Sequence, residues 1–341
     1  MLQHKNSGKR QRVTLQAVAD LAGVNRVTAA VALGRSPQGG TRVSPATRLR
    51  VLETAQQLGY APNALARALR GERTNIIGYY AGYESLDAHL PFVAAILEGL
   101  QQSCRNYRQD LLLFGSFARD TVESIYATLT NGKIDGLIVL PTPRSPVMDR
   151  LFDSHLPIVA VANTHPAIPS VVVDDVAGST MIAEYLAQQG HQHILYRAHP
   201  EVRTSTVRRC DAFLAATAER GMTVTVTHEG PDYALTTQES ALLHAPMGLR
   251  PTAAVCWMDL SAHRLLSDCE ALGLRVPADL AIVGFDGIVQ RIQPARTLTT
   301  IRAPWAAVAA QAVRSLLALL EGEEVAQETI LPVQFVMGDT T

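Results

Sequence analysis

The chain has 341 residues, 47% of them hydrophobic and 18% charged. That bounds it to two or three domains with sizeable cores and excludes a disordered chain. No apolar run reaches the ~18 residues of a membrane span, and the net charge of −1 conceals an asymmetry. Residues 1–73 hold twelve Lys/Arg and three acids, a net of +9, against −10 for the remainder, so one end is suited to a polyanion and the rest is not.

In chain order, Thr14 is placed to cap a helix whose Leu15, Val18, Ala19 and Ala22 form an i, i+3, i+4 apolar stripe. Gly23 is the tight-turn residue, and Asn25 caps a second helix over 26–33. "SPATRLRVLETAQQLGY" predicts a third helix, with Ser44 as cap, Pro45 at its first position and Gly59 past its end. "APNALARALRGER" starts a short helix at Pro62 and Asn63 that is too short to be stable alone. These spans predict an all-α helix-turn-helix domain over 1–60 and a hinge or linker over 61–73.

From residue 74 onward short β-rich runs alternate with helical ones. Strands are expected in "NIIGYY", "DLLLF", "DGLIVL", "PIVAVA", "HILYR", "MTVTVT", "AAVCW" and "LAIVGF". Helices are expected over 91–106, 121–131, 177–189, 206–220, 259–272 and 304–320. Such alternation predicts an α/β domain with parallel sheets covered by helices, and its length predicts two lobes. The four cysteines are scattered as expected of a reduced, cytoplasmic protein, and a secretory signal is not expected, since no apolar h-region follows the basic start before Val13.

These segments together resemble the LacI/GalR family of bacterial transcription regulators. The carriers are "VTLQAVADLAGVNRVTAAVAL", "RVSPATRLRVLETAQQLGYAPNALARALR", "LPFVAAILEGL", "DGLIVL", "VVVDDVAGSTMIAEYLAQQGHQHI", "VRRCDAFLAAT", "VGFDG" and "LTTIR", in the family's order. The resemblance implies a homodimer on near-palindromic double-stranded operator DNA. It implies a repressor of a metabolic operon, without cofactor or metal, and not an enzyme. It also implies a periplasmic-binding-protein-like effector domain over 74–341, with an N-lobe of about 74–172 and 300–327 and a C-lobe of about 173–299 and 328–341. The expected effector is a small carbohydrate held between the lobes.

On a wheel of 100° per residue, Arg26, Val27, Ala30 and Val31 share an arc of about 140°, the expected DNA face. Arg26 suits the O6/N7 edge of guanine, and Val27 and Val31 suit thymine methyls. Asn25 and Thr28 suit phosphates, with Thr14 and Arg42 completing the expected contacts. In the hinge the resemblance assigns Leu69 a minor-groove wedge and Ala66 a close approach, with Asn63, Arg67 and Arg70 beside them. For the effector it assigns Arg209 and Asp286. Tyr80 and Tyr83 are expected to stack on a sugar ring, with Asn163, Trp257 and Asp259 as further lining. Many relatives have Asn-Asp where this chain has Met258-Asp259, so its effector is not given by theirs.

Two rival classes fit less well. An enzyme lacks support, since no P-loop, G-x-S-x-G or post-strand G-x-G-x-x-G is present and His191 and His193 have no third ligand nearby. A sugar-binding protein without a DNA role would leave the basic first module without purpose.

Overall fold

The computed structural model describes residues 13–34, 42–60, 73–82, 86, 90–115, 120–246, 248–287 and 296–341. The chain divides into two compact units, Met1–Thr74 and Asn75–Thr341.

In the first unit, α1 spans Leu15–Leu21, α2 Arg26–Ala32 and α3 Pro45–Leu58. Each start is fixed by a side chain that accepts from an otherwise orphaned backbone N–H. Thr14 accepts from Ala17 at 3.2 Å, Asn25 from Thr28 at 2.7 Å and Ser44 from Thr47 at 3.2 Å. Gly23 makes the turn between α1 and α2 at φ +63°, a conformation costly for residues with a Cβ. Val18, Ala19, Ala22, Ala29, Ala32, Val51 and Ala55 form the buried core of the three helices. Because α2 has only seven residues, its cap is a large part of its stability. Asn25→Ala is expected to cost about 1 kcal/mol and to speed amide exchange in α2. Unchanged exchange would contradict this role.

The second unit holds two six-stranded sheets. The first contains β1 (Ile76–Tyr80), β2 (Asp110–Phe114), β3 (Gly136–Val139), β4 (Ile158–Val161), β5 (Ser170–Val173) and β11 (Glu328–Leu331), in the order β11-β5-β4-β3-β1-β2. All its pairings are parallel. The second contains β6 (His193–Ala198), β7 (Thr223–His228), β8 (Ala253–Cys256), β9 (Ala281–Asp286), β10 (Thr299–Arg302) and β12 (Gln334–Val336), in the order β12-β10-β9-β8-β6-β7. Only its β10–β12 pairing is antiparallel. Every residue of β3, β4, β5 and β8 is buried, as expected of parallel strands covered on both faces.

The helices are α4 (Pro91–Asn106), α5 (Val122–Leu129), α6 (Pro146–Phe152), α7 (Asp175–Gln188), α8 (Thr204–Ala218), α9 (Thr237–Leu243), α10 (Asp259–Ala271) and α11 (Trp305–Glu321). α4 and α11 pack together so closely that a Cβ on Gly99 would lie 2.1 Å from the Ala306 carbonyl oxygen.

The pairing corrects the expected lobe limits near the end of the chain. β10 belongs to the second sheet, although residues 300–302 were expected in the first lobe. β11 belongs to the first sheet, although residues from 328 were expected in the second lobe. The reason is edge pairing: β10 extends the second sheet beside β9, and β11 completes the first beside β5. Among the described residues no helix is long and apolar enough to cross a membrane.

Candidate functional site: a ligand cavity and a DNA-facing helix

A cavity of about 270 Å³ opens where strands of both sheets end. Its wall includes Tyr79 and Ala81 of the β1 end, Leu140 after β3, Ala162 and Asn163 after β4, His199 after β6, Trp257 and Met258 after β8, and Asp286 closing β9. The carboxyl ends of parallel strands are where α/β sheets bind ligands. Two of these residues, Ala162 at φ 66° and Asp286 at φ 128°, hold backbone conformations that L side chains rarely adopt. Such strain persists where the surroundings impose it and is concentrated at functional sites.

The charged centre of the wall is Arg209. Its helix, α8, sets it beneath the cavity, where it is buried. Nε donates to Asp175 Oδ1 at 2.7 Å and Nη1 to the Trp257 carbonyl at 2.8 Å. Nη1 also lies 3.6 Å from Asp286 Oδ1, and the guanidinium sits 3.7 Å over the Phe285 ring. Burial pushes the Asp286 carboxyl up to about 8; Arg209 opposes this, while Asp259 and Asp175 add to it. Burial likewise raises the Asp175 carboxyl against the pull of Arg209.

One turn before Arg209 on α8, Ser205 donates its hydroxyl to Asn163 Oδ1 at 2.8 Å. Arg208 on the same helix pairs with Glu328 on β11. A helix serving the second sheet is thus bonded twice to residues of the first, once at the cavity through Ser205 and Asn163.

Aromatic rings line the remainder. Phe92 meets Trp305 edge-on at 4.9 Å, and His199 meets Trp257 edge-on at 4.5 Å. Trp257 donates its indole N–H to Glu229 at 2.7 Å, and Glu229 also accepts from the Ser261 hydroxyl at 2.5 Å. Behind them lies a fully buried ion pair, Arg197 Nε to Glu239 Oε1 at 2.8 Å.

Of the expected effector residues, Asn163, Arg209, Trp257 and Asp286 meet on this wall. Two expectations are corrected. Tyr80 is fully buried with Phe114, Ile125 and Leu137 on the other face of the first sheet. Successive strand side chains alternate faces, so Tyr79 is the tyrosine that reaches the cavity. Asp259 is 1% exposed and accepts from the Thr300 hydroxyl at 2.5 Å. It sits against Gly284, where a Cβ would come within 2.3 Å of its Oδ1, and serves the β9–β10 packing next to Asp286 without itself lining the cavity. Tyr83 lies outside the described residues.

Phe92, Tyr233 and Trp305 were not expected in the site, whereas Met258, expected to soften its wall, does line it. Phe92 and Trp305 carry a usable signal: each follows a proline in the first turn of a helix that starts near strand ends.

In the first unit, Thr14, Arg26, Val27 and Arg42 are exposed; Asn25 is exposed and Thr28 half-buried, with Asn25 spending its side-chain oxygen on the α2 cap. Ala30 and Val31 are corrected: they are only 4% and 5% exposed, which removes them from the open DNA-facing arc. The exposed part of the expected arc is therefore Arg26 and Val27. Asn63, Ala66, Arg67, Leu69 and Arg70 lie outside the described residues.

A capped helix-turn-helix unit in one chain with a strand-end ligand cavity defines a ligand-binding DNA-binding protein. Residues 14–63 match bacterial regulatory proteins of the lacI family, and residues 183–341 match a periplasmic binding protein-like domain. The HTH-type transcriptional repressor PurR of Aliivibrio fischeri strain MJ11 is 27% identical over 324 residues, 91% of this chain and 93% of its own length. The lac repressor dimer bound to operator and the anti-inducer ONPF superposes with a TM-score of 0.80 at 23% identity, over 97% of this chain and 99% of that one. The CelR–cellobiose complex superposes with a TM-score of 0.68 at 23% identity, over 97% and 100%. The chain thus joins a lacI-family regulatory domain to a periplasmic binding protein-like domain, and the relatives it is similar to are transcription regulators.

Proposed function

We propose that this protein is a homodimeric, cytoplasmic transcriptional repressor that binds near-palindromic operator DNA and is controlled by a small carbohydrate-type ligand. The observation that carries this is the joining of a basic, capped helix-turn-helix unit to a cavity with a buried Arg–Asp centre. The first 60 residues dock on DNA, 61–73 form the hinge, and the remainder binds ligand and dimerises. The lac repressor is solved as a dimer on operator and CelR with cellobiose, which supports the same assembly and ligand class here.

Arg26 gives one strong base contact per half-site, Val27 adds apolar contact, and Thr14, Thr28 and Arg42 join the phosphate contacts. Leu69 is assigned the minor-groove wedge, with Asn63, Ala66, Arg67 and Arg70 around it. Ligand changes DNA affinity because the two sites share one conformational equilibrium; a coupling of about 1–3 kcal/mol shifts it roughly 5–150-fold. Arg209, Asp286 and Asn163 hold the polar edge of the ligand.

Binding to genomic fragments tests this at two salt concentrations. With about six phosphates neutralised, affinity is expected to fall roughly 10³-fold between about 50 and 200 mM salt. Arg26→Ala is expected to relax discrimination at one base pair by about 1–3 kcal/mol. Absence of salt-sensitive DNA binding would remove the proposal.

A further inference from the structure

We infer that Arg208 and Glu328 form a clasp between the two halves of the second unit, outside the ligand cavity, and that this clasp sets how readily the cavity opens. Its regulatory consequence rests on the ligand-controlled function proposed above, whereas the clasp is a property of the second unit alone. The chain passes between the two sheets after β5, after β10 and after β11. Such a set of crossings is where two halves turn against each other. Side-chain bonds that span the halves must break when they part.

Both members of the pair are anchored on their own half. Arg208 stands on α8, which the buried Phe213 and the bond from Arg209 to the Trp257 carbonyl fix to the second half. Glu328 opens β11 opposite Ser170 in the first sheet. Its neighbour Gln327 donates to the carbonyls of Pro166 and Ile168 at 3.1 and 2.9 Å, which holds the start of β11 to the first half. The guanidinium meets the carboxylate as a fork, Nη1 donating to Oε1 and Nη2 to Oε2 at 3.0 Å. Two parallel charged bonds make this the strong form of an arginine–carboxylate pair. They hold the Glu328 carboxyl below its usual range and the Arg208 guanidinium above its own. Neither residue lines the cavity, so the clasp closes without help from a ligand. The balance between parted and closed halves is thereby weighted in advance, and a ligand shifts it from that starting point. The two side chains are 33% and 29% exposed, so dissolved salt reaches the pair and weakens it.

The test uses the full chain with a reporter thiol in the cavity. Ala81 lines the cavity and is 5% exposed, so Ala81→Cys reacts with a bulky aromatic disulfide reagent in proportion to the population with parted halves. Cys210→Ser removes the one half-buried native thiol; the other three are buried. In this background Glu328→Gln and Arg208→Gln are each expected to speed labelling about two- to fivefold, and the double variant no further. Raising salt from about 50 to 500 mM is expected to speed labelling of the intact pair and not of the glutamine variants. Arg220→Gln is the control, because Arg220 bonds Glu184 within the second half; it is expected to leave the rate unchanged. Unchanged rates in both clasp variants overturn the inference. So does equal acceleration by Arg220→Gln, the same salt response with and without the pair, or no labelling of Cys at 81 in any variant. The salt response needs neither clasp substitution, so it decides the matter even if one of them fails to fold. Binding to genomic DNA fragments is scored on the same preparations: its loss removes the regulator proposal and leaves the labelling result standing.

Discussion

Arg197→Leu is expected to destabilise the second unit by about 3–5 kcal/mol, the cost of leaving one member of a buried pair without its partner. Arg197 and Glu239 are both 0% exposed. The guanidinium donates from Nε to Glu239 at 2.8 Å, from Nη1 to the Ser261 carbonyl at 3.2 Å, and from Nη2 to the carbonyls of Tyr233 and Ala234 at 3.1 and 3.2 Å. Glu239 accepts further from Thr227 at 2.9 Å and from the Thr236 backbone at 2.8 Å. Burial disfavours its charge, but these donors prevail and hold the carboxyl below its usual range. Leucine would strand a carboxylate and three carbonyls in a space water does not reach. Lysine brings one point charge and cannot span acceptors arranged for a planar fork, so Arg197→Lys is expected to recover less than half of the loss. Urea unfolding followed by circular dichroism measures both; a cost under about 1 kcal/mol for the leucine variant would contradict the argument. Because Ser261 also bonds Glu229, which holds Trp257, the variant is expected to loosen the aromatic wall as well.

The second large effect is on pH. The groups facing Asp286 are Arg209, Asp259, Asp175 and the Trp305 indole. Its carboxyl rises from 3.8 to about 8 in the fold, so the folded chain binds that proton more tightly than the unfolded one. The resulting stability is complete below the unfolded value and is lost as pH rises toward 8, by up to about 1.4 kcal/mol per pH unit. Histidines 165, 191 and 263 are lowered by burial and act with the opposite sign below their usual range. The difference between wild type and Asp286→Asn isolates the aspartate. That difference is expected to slope between pH 5 and 8 and to flatten above. A difference independent of pH over that window would show that Asp286 is ionised throughout. A neutral Asp286 can donate to a ligand oxygen as well as accept, which suits a sugar hydroxyl.

Much of the architecture was legible because local signals agreed. The caps Thr14, Asn25 and Ser44 and the stop at Gly59 mark helices that form where expected. The expected helix over 91–106 is α4, and α7 and α8 start two residues earlier than expected. The short strands β5, β10, β11 and β12 and the seven-residue helices α6 and α9 were not anticipated. Runs of three or four residues carry no period, and only pairing with a neighbour makes them strands. In the cavity, Arg209 and Asp286 were legible because their segments matched a known pattern. Tyr80 was misplaced because "IIGYY" is apolar throughout, so composition does not say which tyrosine faces which side.

By itself, the sequence determined the charge split, the capped helix-turn-helix, the alternation that makes parallel sheets and the arginine and aspartate of the ligand site. These rest on side-chain chemistry and near-neighbour spacing, which act before the chain has folded. The tertiary structure alone decided which sheet takes β10 and β11 and that Tyr79, Phe92 and Trp305 share a wall with Trp257. It alone decided that Asp259 is packing, that Ala30 and Val31 are covered, and that Arg197 and Glu239 meet in the dark behind the cavity. Those outcomes depend on contacts between residues up to some two hundred positions apart, as with the Ser103 hydroxyl on the Ala310 carbonyl across 207 residues, and only packing brings such groups together.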